Sequence, residues 1–528
     1  MPLSVWLDGC EVVMKQSAMA ARNLICLLCS IAAVCSVATA AQPKAGEAQP
    51  DSYPAGIRNG DLAVRLKGLI TANGVALSDA GIRMVSAKTG ETLLDNCSDK
   101  LFAPASNQKL ATTAAALHLL GKEFRFETKL YARGTLQDGS FIGDLIVVGC
   151  GDPDISGRNH DGDPRFLFKA WGKTLREFGV KEVRGNIIGD VSAFDTEYVH
   201  PSWPANQQER WYCAPASALA LNDNCLDITV SPGEAPGAPA RLRLSPDTAY
   251  TRVDNHCTTT NVKGEHAYGF LGRAGIEGLI VRGKFWMGGE PATSWVPVDD
   301  PPLFFLTVMR ETLMAEGIPV LGKVVVATDP VTITRDEKLL ATFTTPLERA
   351  VMVANKQSQN FYAEQLLKTI GSKMLKKGTY GNGAAKVKEF LGAVSRAGSV
   401  CEVDDGSGLS RKNRLNAAAV TDLLLWVIQP QRPEAKTFVD SLSVAGVDGT
   451  MDDRFEQEPY RGHIKAKTGT IAGVSTLSGY IEVPGDVIAF SMLMNSSKAG
   501  VWRMKKAQDA ICKAVIDCYL GAGGVAGK

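Results

Sequence analysis

Ser106-Asn107-Gln108-Lys109 places a hydroxyl and an amine three positions apart at the head of a run, Leu110 to Leu120, that reads as helix. Three residues along a helix bring both side chains onto one face, so the amine can draw the proton from a hydroxyl it nearly touches. The chemistry this allows is nucleophilic attack on a carbonyl, passing through a covalent acyl-serine. No other serine in the chain has lysine at the fourth position. Such pairs on ordinary helices are mostly just solvated, so the pattern gains weight only from partners elsewhere.

Two such partners follow in chain order, Ser358-Gln359-Asn360 and Lys467-Thr468-Gly469-Thr470. Alone, each reads as a cap or a turn. Together, behind Ser-x-x-Lys, they resemble the signature of the serine penicillin-binding proteins and the related β-lactamases. The segment Leu101 to Leu110, LFAPASNQKL, resembles the nucleophile segment of that superfamily. Asn355 to Leu367, Asp405-Gly-Ser-Gly-Leu-Ser410 and Ala445-Gly-Val-Asp-Gly-Thr450 are similar more narrowly to the D-alanyl-D-alanine carboxypeptidase/endopeptidase family, the class C low-molecular-mass penicillin-binding proteins. The likeness spans nearly all of the chain after residue 50.

The resemblance implies Ser106 as nucleophile and Lys109 as its base. Free lysine titrates near ~10.4, so Lys109 is useful only if burial and a neighbouring cation lower it, and Lys467 is the candidate cation. By the same resemblance Ser358 relays a proton toward the leaving amine, and Asn360 holds Lys109 and the substrate backbone. The amides of Ser106 and Thr470 form the oxyanion hole. Thr468 and Thr470, with Lys467 and the Gly469 backbone between them, grip a terminal carboxylate. Ser407 is carried over only as a candidate wall of the cleft. The implied substrates are peptidoglycan stem peptides ending in D-Ala-D-Ala and D-Ala-to-diaminopimelate cross-links, with β-lactams as mimics that leave a slow acyl-enzyme.

The middle element is Ser-Gln-Asn where class A β-lactamases have Ser-Asp-Asn, and no deacylating glutamate motif stands out near it, which favours a peptidase over a β-lactamase. A non-catalytic wall-binding scaffold is the other alternative, and the intact set of five residues argues against it. A second Lys-Thr-Gly at 88–90 precedes the nucleophile and sits where a hairpin needs a turn glycine, so it is a decoy. The six histidines show neither metal-ligand spacing nor a Ser-His-Asp arrangement, and no cysteines have zinc spacing. No cofactor and no metal are expected.

Positioning these groups requires a particular organisation. The interval from Ser106 to Ser358 is more than twice that from Ser358 to Lys467, so a large insertion separates two parts of one site. Alternation in Phe124 to Tyr131, then Asp144 to Val148 and Val183 to Ile188, predicts strands, whereas Ser231 to Pro246 reads as loop. Pro301 to Gly317 reads as helix, followed by a strand from Lys323 to Ala327. Helical text resumes at Thr345-Pro346. Ile464 to Lys467, Gly473 to Val483 and Val487 to Asn495 predict an antiparallel meander closed by a helix over Val501 to Tyr519. The expected fold class is α+β: a serine β-lactamase/DD-transpeptidase-like catalytic domain, an antiparallel sheet with helices, carrying a large, mostly β insertion. Catalytic parts are expected at 41–122 and 346–528, with inserted domains at 123–345, two of them by resemblance.

Composition agrees with a secreted globular enzyme of 528 residues, 45% apolar and 21% charged, with net charge +1, which gives no electrostatic footprint for nucleic acid. Lys15 and Arg22 precede the apolar stretch Leu24 to Val37 and a small-x-small site at Ala38-Thr39-Ala40, the form of a cleaved signal peptide over 1–40. Met14 or Met19 is a candidate true start, and lipidation at Cys35 is disfavoured by bulky Val34. The stretch is too short for a transmembrane span, so a periplasmic location is expected. Eight cysteines remain after cleavage in a compartment that permits disulfides, and Cys213 and Cys225 are close enough to staple one loop, unless these thiols are simply small buried hydrophobes. Nothing in the sequence argues for a homodimer over a monomer.

Overall fold

The structure is a computed structural model that describes residues 59–523. The signal-peptide expectation over 1–40 and the start of the first catalytic part lie outside the described residues. Among the described residues, no helix is long and apolar enough to cross a membrane.

The C-terminal meander forms as expected. Strands Ile464–Ile471, Val474–Val483 and Asp486–Asn495 pair antiparallel in sequence order, and the N-terminal hairpin, Ala80–Ser86 with Thr92–Asn96, adds to the far side of Asp486–Asn495. The hairpin turn is the decoy Lys88-Thr89-Gly90, with Gly90 at φ +74°, a conformation that favours glycine. The short strand Ser443–Val444 completes a six-stranded antiparallel sheet.

Both faces of this sheet are covered, which explains why its central strands read as nearly continuous apolar runs. Leu477, Ile481, Phe490 and Met492 face a core shared with Leu62, Leu66 and Ile70 of helix Asn59–Ala72 and with Ile511 and Val515 of helix Val501–Gly523. Tyr480, Ala489 and Leu493, at alternate positions, face a second core built by helices Gln108–Leu120, Leu347–Lys356, Asn360–Leu375, Tyr380–Val394 and Ala417–Val427. Each large apolar side chain buried this way stabilises the fold by about 1.5–3 kcal/mol. The two sequence segments that flank the insertion therefore share one sheet and one helical layer.

Residues 125–346 build separate sheets. Arg125–Gln137, Ser140–Val148, Ile187–Asp190, Val324–Ala327 and Lys338–Pro346 make a mixed sheet, with Glu182–Val183 paired to the edge of Ser140–Val148. Helices Phe166–Glu177 and Pro301–Ala315 contribute Phe168, Trp171, Phe304 and Phe305 to the core on this sheet. Nested within it, residues 225–297 form two three-stranded sheets, and all three sheets share one apolar core. Two expectations change here. The segment expected to be loop, 231–246, contains the strand Arg241–Ser245, because Leu242 and Leu244 alternate onto the core while the Pro- and Gly-rich text before them makes the hairpin loop. The expected strand 183–188 is broken at Gly185, where a Cβ would lie 2.1 Å from the Gly143 carbonyl.

Of the two readings left open for the cysteines, the structure shows the second at Cys213 and Cys225. All eight cysteines from Cys97 to Cys518 are free thiols, and Cys213 and Cys225 are separately buried. Burial pushes the Cys213 thiol up to about 12, the behaviour of a small core hydrophobe.

The helical layer and residues 125–346 are fastened by charge as well as packing. The fully buried Lys368 ammonium, on helix Asn360–Leu375, donates to Asp195 Oδ1 at 2.7 Å and to the Glu197 carbonyl at 2.7 Å. Removing the acid strands a buried charge, so Asp195→Ala should destabilise the protein by about 3 kcal/mol in denaturant unfolding. A loss below about 1 kcal/mol would show that the pair behaves as a surface ion pair.

Candidate active site

Ser106 sits on a strained turn. Ala105 has φ +45°, unfavourable for a residue with a Cβ by about 1–2 kcal/mol, and it opens a 3-10 turn, Ala105–Asn107, ahead of the α-helix that begins at Gln108. The helical run expected over Leu110 to Leu120 thus begins two residues earlier, at Gln108, with Ser106 on the 3-10 turn ahead of it. The turn is clamped on both sides. Asn495 Oδ1 accepts from the Ala103 amide at 2.8 Å and its Nδ2 donates to the Ala103 carbonyl at 3.0 Å. Thr476 Oγ1 donates to the Pro104 carbonyl at 2.9 Å, and the Asn107 amide bridges Thr476, Ser478 and the Lys467 carbonyl, tying the turn to the sheet.

Lys109 is fully buried, and its Nζ has three neighbours: Ser106 Oγ at 3.0 Å, Asn360 Oδ1 at 2.7 Å and the Ser407 carbonyl at 2.9 Å. Two of these can only accept. The Asn360 amide is oriented by its Nδ2, which donates to the Tyr212 carbonyl at 2.9 Å, so its oxygen must face Lys109. A neutral amine has two N–H donors and one lone pair. With both donors used on Asn360 and Ser407, the lone pair is left for the Ser106 hydroxyl, which is the direction a general base requires.

Burial lowers Lys109 to about 7, against the opposing pull of the Glu364 and Asp405 carboxylates. Burial is the first of the two causes expected for this shift, and no sequence pattern marked the two opposing acids. Lys467 is itself fully buried and pushed well below its ordinary value, first by burial and then by Lys109. Its Nζ lies 2.8 Å from Ser358 Oγ and donates to the Thr468 carbonyl at 2.9 Å. The site therefore holds two serine–lysine pairs, 106–109 and 358–467. Asn360, two residues beyond Ser358, reaches the first of them.

Ser358 has φ +57°, which turns the chain between helices Leu347–Lys356 and Asn360–Leu375. The insertion braces this turn through Tyr212 on Asn360 and through Asp223, which accepts from Gln359 Nε2 at 3.3 Å. Neither residue carries a motif that sequence reading could have seen. Ser407 stands behind the base and does not wall the cleft: its side chain is fully buried and its carbonyl serves Lys109.

Strand Ile464–Ile471 supplies the last side. Its outer neighbour pairs only at Lys465 and Ala466, so the stretch from Lys467 to Ile471 presents an unpaired edge toward the nucleophile turn. Gly469 permits the close approach, since a Cβ there would lie 2.9 Å from the Ser106 amide nitrogen and 2.3 Å from Thr476 Oγ1. Thr468 Oγ1 is 2.7 Å from Thr450 Oγ1, and Thr470 is exposed. Beside the strand opens a cavity of about 310 Å³ lined by Thr468, Thr470, Arg454, Lys505, Asp453 and Asp509.

A family model described as D-Ala-D-Ala carboxypeptidase 3 (S13) matches residues 63–515, through the helices, the insertion and the meander alike. The chain belongs to this S13 family. As a member it is a D-Ala-D-Ala carboxypeptidase. S13 relatives include a D-alanyl-D-alanine carboxypeptidase of Actinomadura sp. (strain R39), 33% identical over 79% of this chain and 77% of that protein. Another is the D-alanyl-D-alanine carboxypeptidase DacB of Haemophilus influenzae, 24% identical over 80% of this chain and 86% of the relative. The solved structure of penicillin binding protein 4 from Haemophilus influenzae superposes with a TM-score of 0.73, covering 85% of this chain and 99% of the other at 22% identity, which establishes a shared α+β fold.

In this S13 enzyme the approach of Gly469 to the Ser106 amide sets the width of the site. Gly469→Ala should wedge strand and turn apart and lower D-Ala release from a D-Ala-D-Ala peptide by about 10²-fold, the scale of an ångström-sized misplacement. An undiminished rate would show that the strand has room to give.

Proposed function

We propose that the chain is a serine DD-peptidase of peptidoglycan that works through an acyl-enzyme on Ser106. Support comes above all from one contact, the buried Lys109 amine 3.0 Å from Ser106 Oγ with its lone pair directed there by Asn360 and Ser407. Lys109 takes the Ser106 proton as Oγ adds to the carbonyl of the penultimate D-Ala, forming the tetrahedral intermediate. The amides of Ser106 and Thr470 receive the oxyanion, where donors already in place stabilise developing charge without reorganising. Ser358, held by Lys467, relays the proton taken up by Lys109 to the departing amine as the C–N bond breaks, leaving the acyl-serine ester and a neutral Lys109. Water, deprotonated by the same base, then hydrolyses the ester and restores Ser106.

The hydroxyls of Thr468 and Thr470 suit the free carboxylate next to the scissile bond, and the open edge of strand Ile464–Ile471 suits an extended peptide added as a further strand. A cross-link in which D-Ala is joined to the D-centre of diaminopimelate presents the same carboxylate, so endopeptidase action belongs to the same reading. A β-lactam presents it too, and its ring amine stays tethered to the acyl group after opening, which slows the attack of water. We assign the chemistry to 41–122 and 346–528, with 123–345 inserted between them. The enzyme works in the periplasm, exported by a signal peptide cleaved after Ala40.

Exposure of the purified protein to benzylpenicillin, followed by intact-mass and peptide mapping, should show one penicilloyl adduct on the peptide containing Ser106, absent in Ser106→Ala. An adduct elsewhere, or none, would overturn the assignment. Because Lys109 acts only when neutral and titrates at about 7, acylation should fall as pH drops through that value and its amine becomes protonated. Lys109→Met should abolish this acid limb together with nearly all acylation.

A further inference from the structure

Behind the base lies a buried acid that the proposed mechanism does not use. Glu364 sits one helical turn after Asn360 on the same helix, which puts both side chains on the face beneath Lys109. It is fully buried, and each carboxylate oxygen accepts one backbone N–H: Gly406 to Oε2 at 2.8 Å and Ser407 to Oε1 at 2.8 Å. The Ser407 residue held in this way is the one whose carbonyl accepts from Lys109 Nζ at 2.9 Å. Glu364 thus fixes one of the two acceptors that aim the lone pair of the base at Ser106.

The neighbouring acid has a different job. Asp405 Oδ1 accepts from the Gly408 amide and Asn413 Nδ2, and Oδ2 from Trp203 Nε1 and the Ser410 amide, at 2.6 to 2.9 Å. Four donors saturate it, so it is the anchor of the 405–410 loop. The nearby cation Lys368 is held by Asp195. Other groups facing Glu364 are the phenol of Tyr380, which donates to the Tyr198 carbonyl, and the buried Cys213 thiol. Glu364 is consequently the acid in this cluster with neither a saturating set of donors nor a committed ion-pair partner, and it faces Lys109.

We propose that Glu364 is a positioning residue for the general base: it holds the Ser407 carbonyl on the Lys109 amine, and its carboxylate stabilises the ammonium formed when Lys109 takes the Ser106 proton. The proton balance is internal. Ser106 loses a proton, Lys109 gains it, and the buried ammonium so formed, which a low-dielectric interior penalises, is favoured to the extent that Glu364 is ionised. Burial raises Glu364 to about 8 and lowers Lys109 to about 7, so the two acid–base groups titrate as one coupled system near neutrality.

The inference rests on the serine-peptidase reading, and its test separates the two. Rates of acylation by a fluorescent penicillin are measured against pH for the wild type, Glu364→Gln and Glu364→Asp in the full chain. Loss of the carboxylate removes the state in which an anion holds Lys109 protonated, so in Glu364→Gln the acid limb should move down by about half a pH unit or more. The plateau rate should fall about tenfold. Glu364→Asp keeps the charge at a greater distance and should displace the limb in the same direction by less. A Glu364→Gln limb at the wild-type pH, whatever the plateau does, overturns the proposal while leaving the peptidase reading intact. If Glu364→Gln cannot be purified, Glu364→Asp decides alone, an unmoved limb overturning it. A wild type that is not acylated overturns the peptidase reading itself.

Discussion

The structure depends on burying a lysine amine without giving it a dedicated ion-pair partner. Taking Lys109 out of water costs several kcal/mol if it stays charged, and the protein meets that cost by letting the proton leave. Its hydrogen-bond partners are arranged to suit an uncharged amine. Asn360 Oδ1 and the Ser407 carbonyl take its two N–H groups, and the hydroxyl of Ser106 is left opposite the lone pair. The same logic is repeated at Lys467, equally buried, whose close neighbours are the Ser358 hydroxyl and the Thr468 carbonyl. Mutual repulsion of the two amines adds to desolvation at Lys467 and keeps the cleft from carrying two positive charges.

That constraint explains why the site draws on so many separate segments. A neutral amine must be sealed from water on all sides, and no single helix can do this. The nucleophile helix supplies Ser106 and Lys109, helix Asn360–Leu375 supplies a second wall, the 405–410 loop a third, and strand Ile464–Ile471 the fourth. Contacts that look remote from the chemistry serve this closure. Gly408 has φ +86°, and a Cβ there would lie 1.7 Å from the Ala105 carbonyl, so the loop can lie directly under the strained nucleophile turn only with glycine at that place.

The insertion takes part in the same closure. Tyr212 orients the Asn360 amide, Asp223 holds Gln359, Trp203 reaches Asp405, and His200 Nε2 lies 2.9 Å from the Asp404 carbonyl. Each contact falls on backbone or side chains that support Lys109, while the insertion builds its own apolar core away from the sheet of the catalytic part. Residues 125–346 thus build most of their core among themselves, while Phe126, Ala214, Ala220 and Cys225 join the core of the helical layer beside the site.

The sequence alone carried the types, order and spacing of Ser106, Lys109, Ser358, Asn360 and Lys467, because local helix geometry and one strand's edge are enough to present them. It carried the meander as well, because both of its faces are buried and its apolar runs are long. It read 231–246 as loop because Leu242 and Leu244 become a strand only when the nested sheets offer them a core. Free Cys213 and Cys225, the roles of the acids Glu364 and Asp405 and the brace at Tyr212 were decided by tertiary structure, and so was how completely Lys109 is buried. Desolvation is a property of everything that surrounds a group, and segments hundreds of positions apart in the chain must meet before any of them can exclude water from an amine.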